Sequence, residues 1–113
     1  NEELNKQKIA SLKIYWNKEE YNILQKDIFY MERQLRTTMI MTPTQTYSTS
    51  EKLADLLKRL EDSFAMCHRS YIINLKRVQE ITKDSALLVD GTSIPISRRY
   101  YSAVKDKINN LIP

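Results

Sequence analysis

The chain has 113 residues, enough for one domain with one core and too few for two ordinary ones. Its 42% hydrophobic and 28% charged residues match a soluble globular protein, and no stretch approaches the roughly 20 apolar residues of a membrane span. The net charge of +4 tilts expectation modestly toward a polyanionic partner, while one Cys, one His and one Gly exclude an internal disulfide, a Cys/His zinc site and a glycine-rich phosphate loop.

Residues 1–7 are polar and read as a linker or N-terminal remnant; they lack the apolar stretch of a signal peptide. The chain does not begin with Met, so a partner domain upstream in a longer protein is expected. Residues 8–113 read as one domain, expected in the cytoplasm. Ile9 to Trp16 alternates as a strand, and Asn17-Lys18-Glu19-Glu20 is a polar turn into a second strand, Tyr21–Leu24. Asp27 to Glu32 is strongly β-prone. Arg33 to Thr38 is polar and basic, a loop or a strand end. Met39–Met41 resumes as a strand, Pro43 marks a bend, and Gln45–Thr49 alternates again.

Ser48 and Glu51 have the spacing of a capping box, and Leu53, Leu56, Leu57 and Leu60 share one face of a helix predicted over 51–62. Phe64 to Leu75 is ambiguous between strand and short helix. Val78–Thr82, Ala86–Val89 and Ser93–Ile96 read as strands, with Asp90-Gly91 turning the last two into a hairpin. Ser97 is placed to cap a final helix with the apolar stripe Tyr101, Val104, Ile108 and Leu111. The fold class is therefore mainly β, with one short amphipathic helix in mid-chain and one helix at the C-terminus.

Charge is unevenly spread. Residues 33–50, 63–79 and 91–105 contain no Asp or Glu, yet hold six of the seven arginines: Arg33, Arg36, Arg69, Arg77, Arg98 and Arg99. Clustered guanidinium groups without counter-charge suit a phosphate-binding face; a chance excess spread over separate faces is the bland alternative. Arg98 and Arg99 open the final helix, where cations oppose the helix dipole at roughly 0.3–1 kcal/mol each. A local conflict of that kind marks function more often than a neutral position does.

Enzymatic signals are poor. Any catalytic triad would depend wholly on His68, and the adjacent acids sit in turns or at helix ends. The seven tyrosines and Trp16 offer stacking surfaces for single-stranded bases, or line the core and sheet edges. No enzyme activity, cofactor or metal is expected.

The segment Phe64-Ala-Met-Cys-His68-Arg69-Ser70-Tyr71-Ile-Ile-Asn74 resembles the signature of the LytTR domain: a Phe, then His-x-Ser, an aromatic, two aliphatics and Asn. Ile94-Pro-Ile-Ser97-Arg98-Arg99-Tyr100-Tyr101 is similar to the element that opens that family's last segment. Asp27–Glu32 is similar to its strand before the first recognition loop, and the helix at 51–62 sits in the corresponding place. The likeness spans roughly residues 8–109.

The resemblance implies an elongated set of small antiparallel sheets that binds duplex DNA through loops in successive major grooves. It implies the output domain of a bacterial response regulator, behind a receiver-type domain, with two copies on paired sites. Carried over by position, the first loop is Arg36-Thr37-Thr38. Some relatives have a base-reading His near Thr38, so Arg36 is expected to read guanine instead, with Thr38 on a thymine methyl or a phosphate. The second element is His68-Arg69-Ser70, with Arg69 facing DNA and His68 either on DNA or orienting the loop. In the third, Arg99 is expected on a base and Arg98 on a phosphate. The competing readings are a protein-interaction module and a single-strand binder using the same basic face.

Overall fold

The computed structural model describes residues 10–111. The reading of 1–7 as a linker and the start of the first strand at Ile9 lie outside the described residues.

Strands β1 (Ser11–Trp16) and β2 (Glu19–Leu24) form an antiparallel ribbon. Its inward positions Leu12, Ile14 and Ile23 are buried, as alternation requires. A 3₁₀ turn over Gln25–Asp27 leads into β3 (Tyr30–Gln34). Strands β4 (Thr37–Met41), β5 (Thr46–Thr49), β6 (Phe64–His68) and β7 (Tyr71–Asn74) complete an antiparallel sheet of order β5-β4-β3-β7-β6. Helix α1 (Leu53–Leu57) connects β5 to β6. After a second 3₁₀ turn at Leu75–Arg77, strands β8 (Val78–Ile81), β9 (Ser85–Leu88) and β10 (Ser93–Pro95) form a three-stranded sheet. Gly91 lies between β9 and β10 with φ +94°, which suits glycine and few other residues. Helix α2 (Arg98–Leu111) closes the chain. The described residues fill a slab of 39 × 39 × 24 Å.

The five-stranded sheet is covered on both faces. One core joins Met31, Ile40, Phe64 and Ile72 to the β1–β2 ribbon and to Leu53 and Leu56 of α1. The other joins Ala65, Cys67 and Ile73 to Ala86, Leu88 and Ile94 of the three-stranded sheet and to Val104 of α2. Neighbours Ile72 and Ile73 thus point into different cores, and both are fully buried. Each such side chain contributes about 1.5–3 kcal/mol. A strand buried on both faces loses its alternation, which is why 64–75 resists assignment from its pattern; it is a hairpin.

Two buried amides stitch these layers. The Gln25 side chain donates to Ser11 O at 3.0 Å and Arg59 O at 3.1 Å, and accepts from Glu61 N at 2.9 Å. Asn74, the last residue of the His-x-Ser segment, donates to Ile28 O and accepts from Lys76 N.

The mid-chain helix is shorter than its leucine spacing predicts. Ser48 belongs to β5, and the N-cap is Lys52, which makes no side-chain capping bond. Glu51 instead forms a bidentate pair with Arg59, both contacts 2.7 Å. Leu60 still packs on the core, but from a tightened turn in which Arg59 N and Leu60 N donate to carbonyls three residues back.

Candidate nucleic-acid interface

The β3–β4 and β6–β7 hairpins turn at the same end of the sheet, because β3 pairs directly with β7. Their tips, Leu35-Arg36 and Arg69-Ser70, are joined by Arg33 N donating to Ser70 O at 2.8 Å. Arg36 and Arg69 are both exposed. A shallow groove between the tips is lined by Arg33, Leu35, Lys52, Leu53, Met66 and Arg69.

The third segment reaches the same region by another bond. Ser97 N donates to Cys67 O at 2.9 Å, fixing the start of α2 against the end of β6, two residues before Arg69. Arg98 and Arg99 are exposed there. Arg99 lies over the Tyr100 ring at 5.8 Å, while Arg98 lines a separate cleft with Lys83, Asp84 and Tyr101.

The six arginines of the acid-free windows fall into two groups. Arg36, Arg69, Arg98 and Arg99 are exposed, and among the described residues none has a salt-bridge partner. Arg33 and Arg77 are structural. Arg33 Nε donates to Leu35 O, and its Nη1 donates to Thr38 Oγ1, Ser50 O and Glu51 O. Arg77 donates to Lys26 O and packs on the Phe29 ring at 5.1 Å. Arg59, outside the windows, is the one arginine with a carboxylate partner among the described residues.

Thr38 is corrected by the structure. It is fully buried, and its hydroxyl donates to Glu51 O at 2.7 Å while accepting from Arg33. No oxygen or methyl of Thr38 is left to meet a base; its hydroxyl holds the brace under the β3–β4 tip. Thr37, its neighbour, is half-buried in the closing pair with Gln34.

His68 sits where β6 bulges: the register shifts between Met66 and His68, which sets His68 opposite Tyr71, ring centroids 5.5 Å apart. A bulge re-aims a side chain in this way. The Ser70 N–H donates to His68 Nδ1 at 3.0 Å. Nδ1 therefore carries no proton, and the imidazole proton is on Nε2. The loop-orienting contact is present, and Nε2–H is the ring's remaining donor.

Beside this end, burial first, and then the Glu32 carboxylate, push the Tyr71 phenol above its ordinary value, so it stays a neutral hydroxyl. Burial likewise pushes the Cys67 thiol up to about 12. Of the seven tyrosines, Tyr15 is the one that is largely exposed; Tyr30, Tyr71, Tyr100 and Tyr101 pack against the second core.

Sequence reasoning passed over Leu35 and Lys52. Lys52 left no clear signal. Leu35 did: it stands inside a two-residue turn, where Asn, Asp or Gly is expected.

The family model of the LytTr DNA-binding domain matches residues 18–109. The chain belongs to the LytTR family. It is 31% identical over 86 residues to the sensory transduction protein LytT of Bacillus subtilis, a match that covers 71% of this chain and 36% of that protein. It is 26% identical over 96 residues to the transcriptional regulatory protein BtsR of Escherichia coli, covering 78% and 38%. The LytTR chain thus spans little more than a third of these curated relatives. Its fold matches the solved LytTR DNA-binding domain of a methyl-accepting/DNA response regulator from Bacillus cereus, with TM-score 0.77, 21% identity, and coverage of 88% and 96%. The mainly β LytTR fold of small antiparallel sheets and two helices is established by that likeness.

Proposed function

We propose that this LytTR domain binds duplex DNA sequence-specifically through loops in successive major grooves, the adjacent hairpin tips serving one groove and the start of α2 the next, and that it performs no chemistry. The observation that carries the reading is the set of four exposed arginines, without a salt-bridge partner among the described residues, on three segments tied to one end of one sheet. Phosphate contacts position such a domain, and a few guanidinium contacts to base edges specify the site. Arg36, Arg69 and Arg99 are the base-reading candidates; Arg98, beside Lys83 and Asp84, suits a phosphate. His68 positions the second tip through Ser70.

In the longer protein the domain is the cytoplasmic output of a transcriptional regulator behind a receiver-type domain, and two copies occupy paired sites. Support for this wider setting comes from LytT and BtsR, whose names describe signal transduction and transcriptional regulation.

The test is anisotropy titration against duplex DNA, single-stranded DNA and RNA, followed by site selection from a random duplex pool. Preference for duplex and an enriched motif are expected. Arg99→Ala should weaken the selected site by about 1–3 kcal/mol and relax one base position. Equal affinity for all three nucleic acids, or none for any, would overturn the reading.

A further inference from the structure

Leu35 is 96% exposed at the tip of the β3–β4 hairpin. A lone exposed leucine is ordinary; this one differs in three ways. Its backbone has φ +56°, a region that Gly and Asn enter readily and that costs a leucine free energy. In the β1–β2 turn both central residues, Asn17 and Lys18, have positive φ; in the β3–β4 turn Leu35 alone does, at the first turn position, where glycine is favoured. Strain of this kind collects at functional sites.

The second difference is the brace. Arg33 Nε holds the Leu35 carbonyl at 3.1 Å, while Arg33 Nη1 is held by Thr38, Ser50 and Glu51. The turn is therefore fixed with the leucine side chain outward. The third is its surroundings. Arg36 follows it, Arg69 lines the same groove, and no carboxylate occurs between residues 33 and 50. An apolar tip ringed by cations suits a polyanion with an apolar spot at the bottom of its groove.

We infer that Leu35 is a specificity-determining residue that packs on a thymine methyl group in the major groove, with Arg36 beside it. The inference rests on the duplex-DNA reading above. The thymine C5 methyl is the apolar group that a base edge presents in that groove, and a leucine offers it only dispersion and dehydration, with no hydrogen bond to misdirect.

The probe is a duplex selected on the 113-residue chain from a random pool, then resynthesised with each thymine in turn replaced by deoxyuridine, which lacks only that methyl. For the wild-type domain, one or two replacements should weaken binding about fourfold, the worth of one buried methyl group. Leu35→Ala and Leu35→Asn should bind the unmodified duplex about fourfold more weakly and lose sensitivity at those positions. Asn tolerates positive φ better than Ala does, and urea melts that match the wild type separate a loss of binding from misfolding. A duplex bound tightly but indifferent to every deoxyuridine, or variants that keep wild-type sensitivity, would overturn this inference alone. No enriched duplex would overturn the DNA reading on which it rests.

Discussion

The division of arginines into free and braced makes a quantitative claim about salt. Each phosphate neutralised by a cation contributes about −0.9 to the slope of log affinity against log salt for duplex DNA. Arg98, the phosphate candidate, should therefore contribute about −0.9 of the slope, a roughly 3.5-fold share of the fall in affinity between 50 and 200 mM KCl. Arg98→Ala should make the slope shallower by about 0.9, so the variant's deficit shrinks roughly 3.5-fold over that range. Arg33→Met should behave differently. Its guanidinium is committed to four acceptors on the protein, so the slope should stay at the wild-type value. Stability should fall by about 1–3 kcal/mol, as expected when charge-assisted bonds of a half-buried group are lost. Anisotropy titrations of both variants across a KCl series, with urea melts alongside, measure all of this. A wild-type slope near zero, or the same slope change in both variants, would refute the division.

Three further predictions concern the frame around the site. His68→Ala should weaken duplex binding about 3–10-fold by releasing the Ser70 N–H, while His68→Asn should restore most of it, since an Asn oxygen accepts from the N–H two residues on; failure of Asn to rescue would give Nε2–H a direct contact. Cys67 should resist iodoacetamide at pH 8 in the native domain and react quickly in urea. Its folded value near 12 lies above the unfolded value of roughly 8.5. The native state therefore keeps a proton that the unfolded chain loses, and stability should decline above pH 8.5 by up to about 1.4 kcal/mol per pH unit; flat stability from pH 8 to 10 would contradict this. Gln25→Ala leaves three backbone groups without their partner and should cost about 2–4 kcal/mol in a urea melt, with a loss under about 0.5 kcal/mol refuting the stitch.

Most strands were legible because their outer faces meet solvent. Leu12, Ile14 and Ile23 alternate with exposed neighbours, and Gly91 announces its turn. The exceptions have physical causes. Ile28 and Phe29 look like strand residues but lie just before β3, one entering each core. The capping-box spacing at Ser48 and Glu51 matched a pattern whose residues had other partners. Of the candidate site, the exposed arginines follow from charge distribution together with the family likeness. Thr38 and Arg33 do not, because burial and a brace across 17 or 18 residues leave no mark on local sequence.

The bond from Arg33 N to Ser70 O has one more consequence. It makes the two hairpin tips parts of one continuous sheet, in which strands stand about 4.8 Å apart. The midlines of two adjacent hairpins are two such spacings apart, roughly 10 Å. A substitution at either tip changes the chemistry presented there; the interval between the tips is set by backbone hydrogen bonding, and no side-chain replacement alters it.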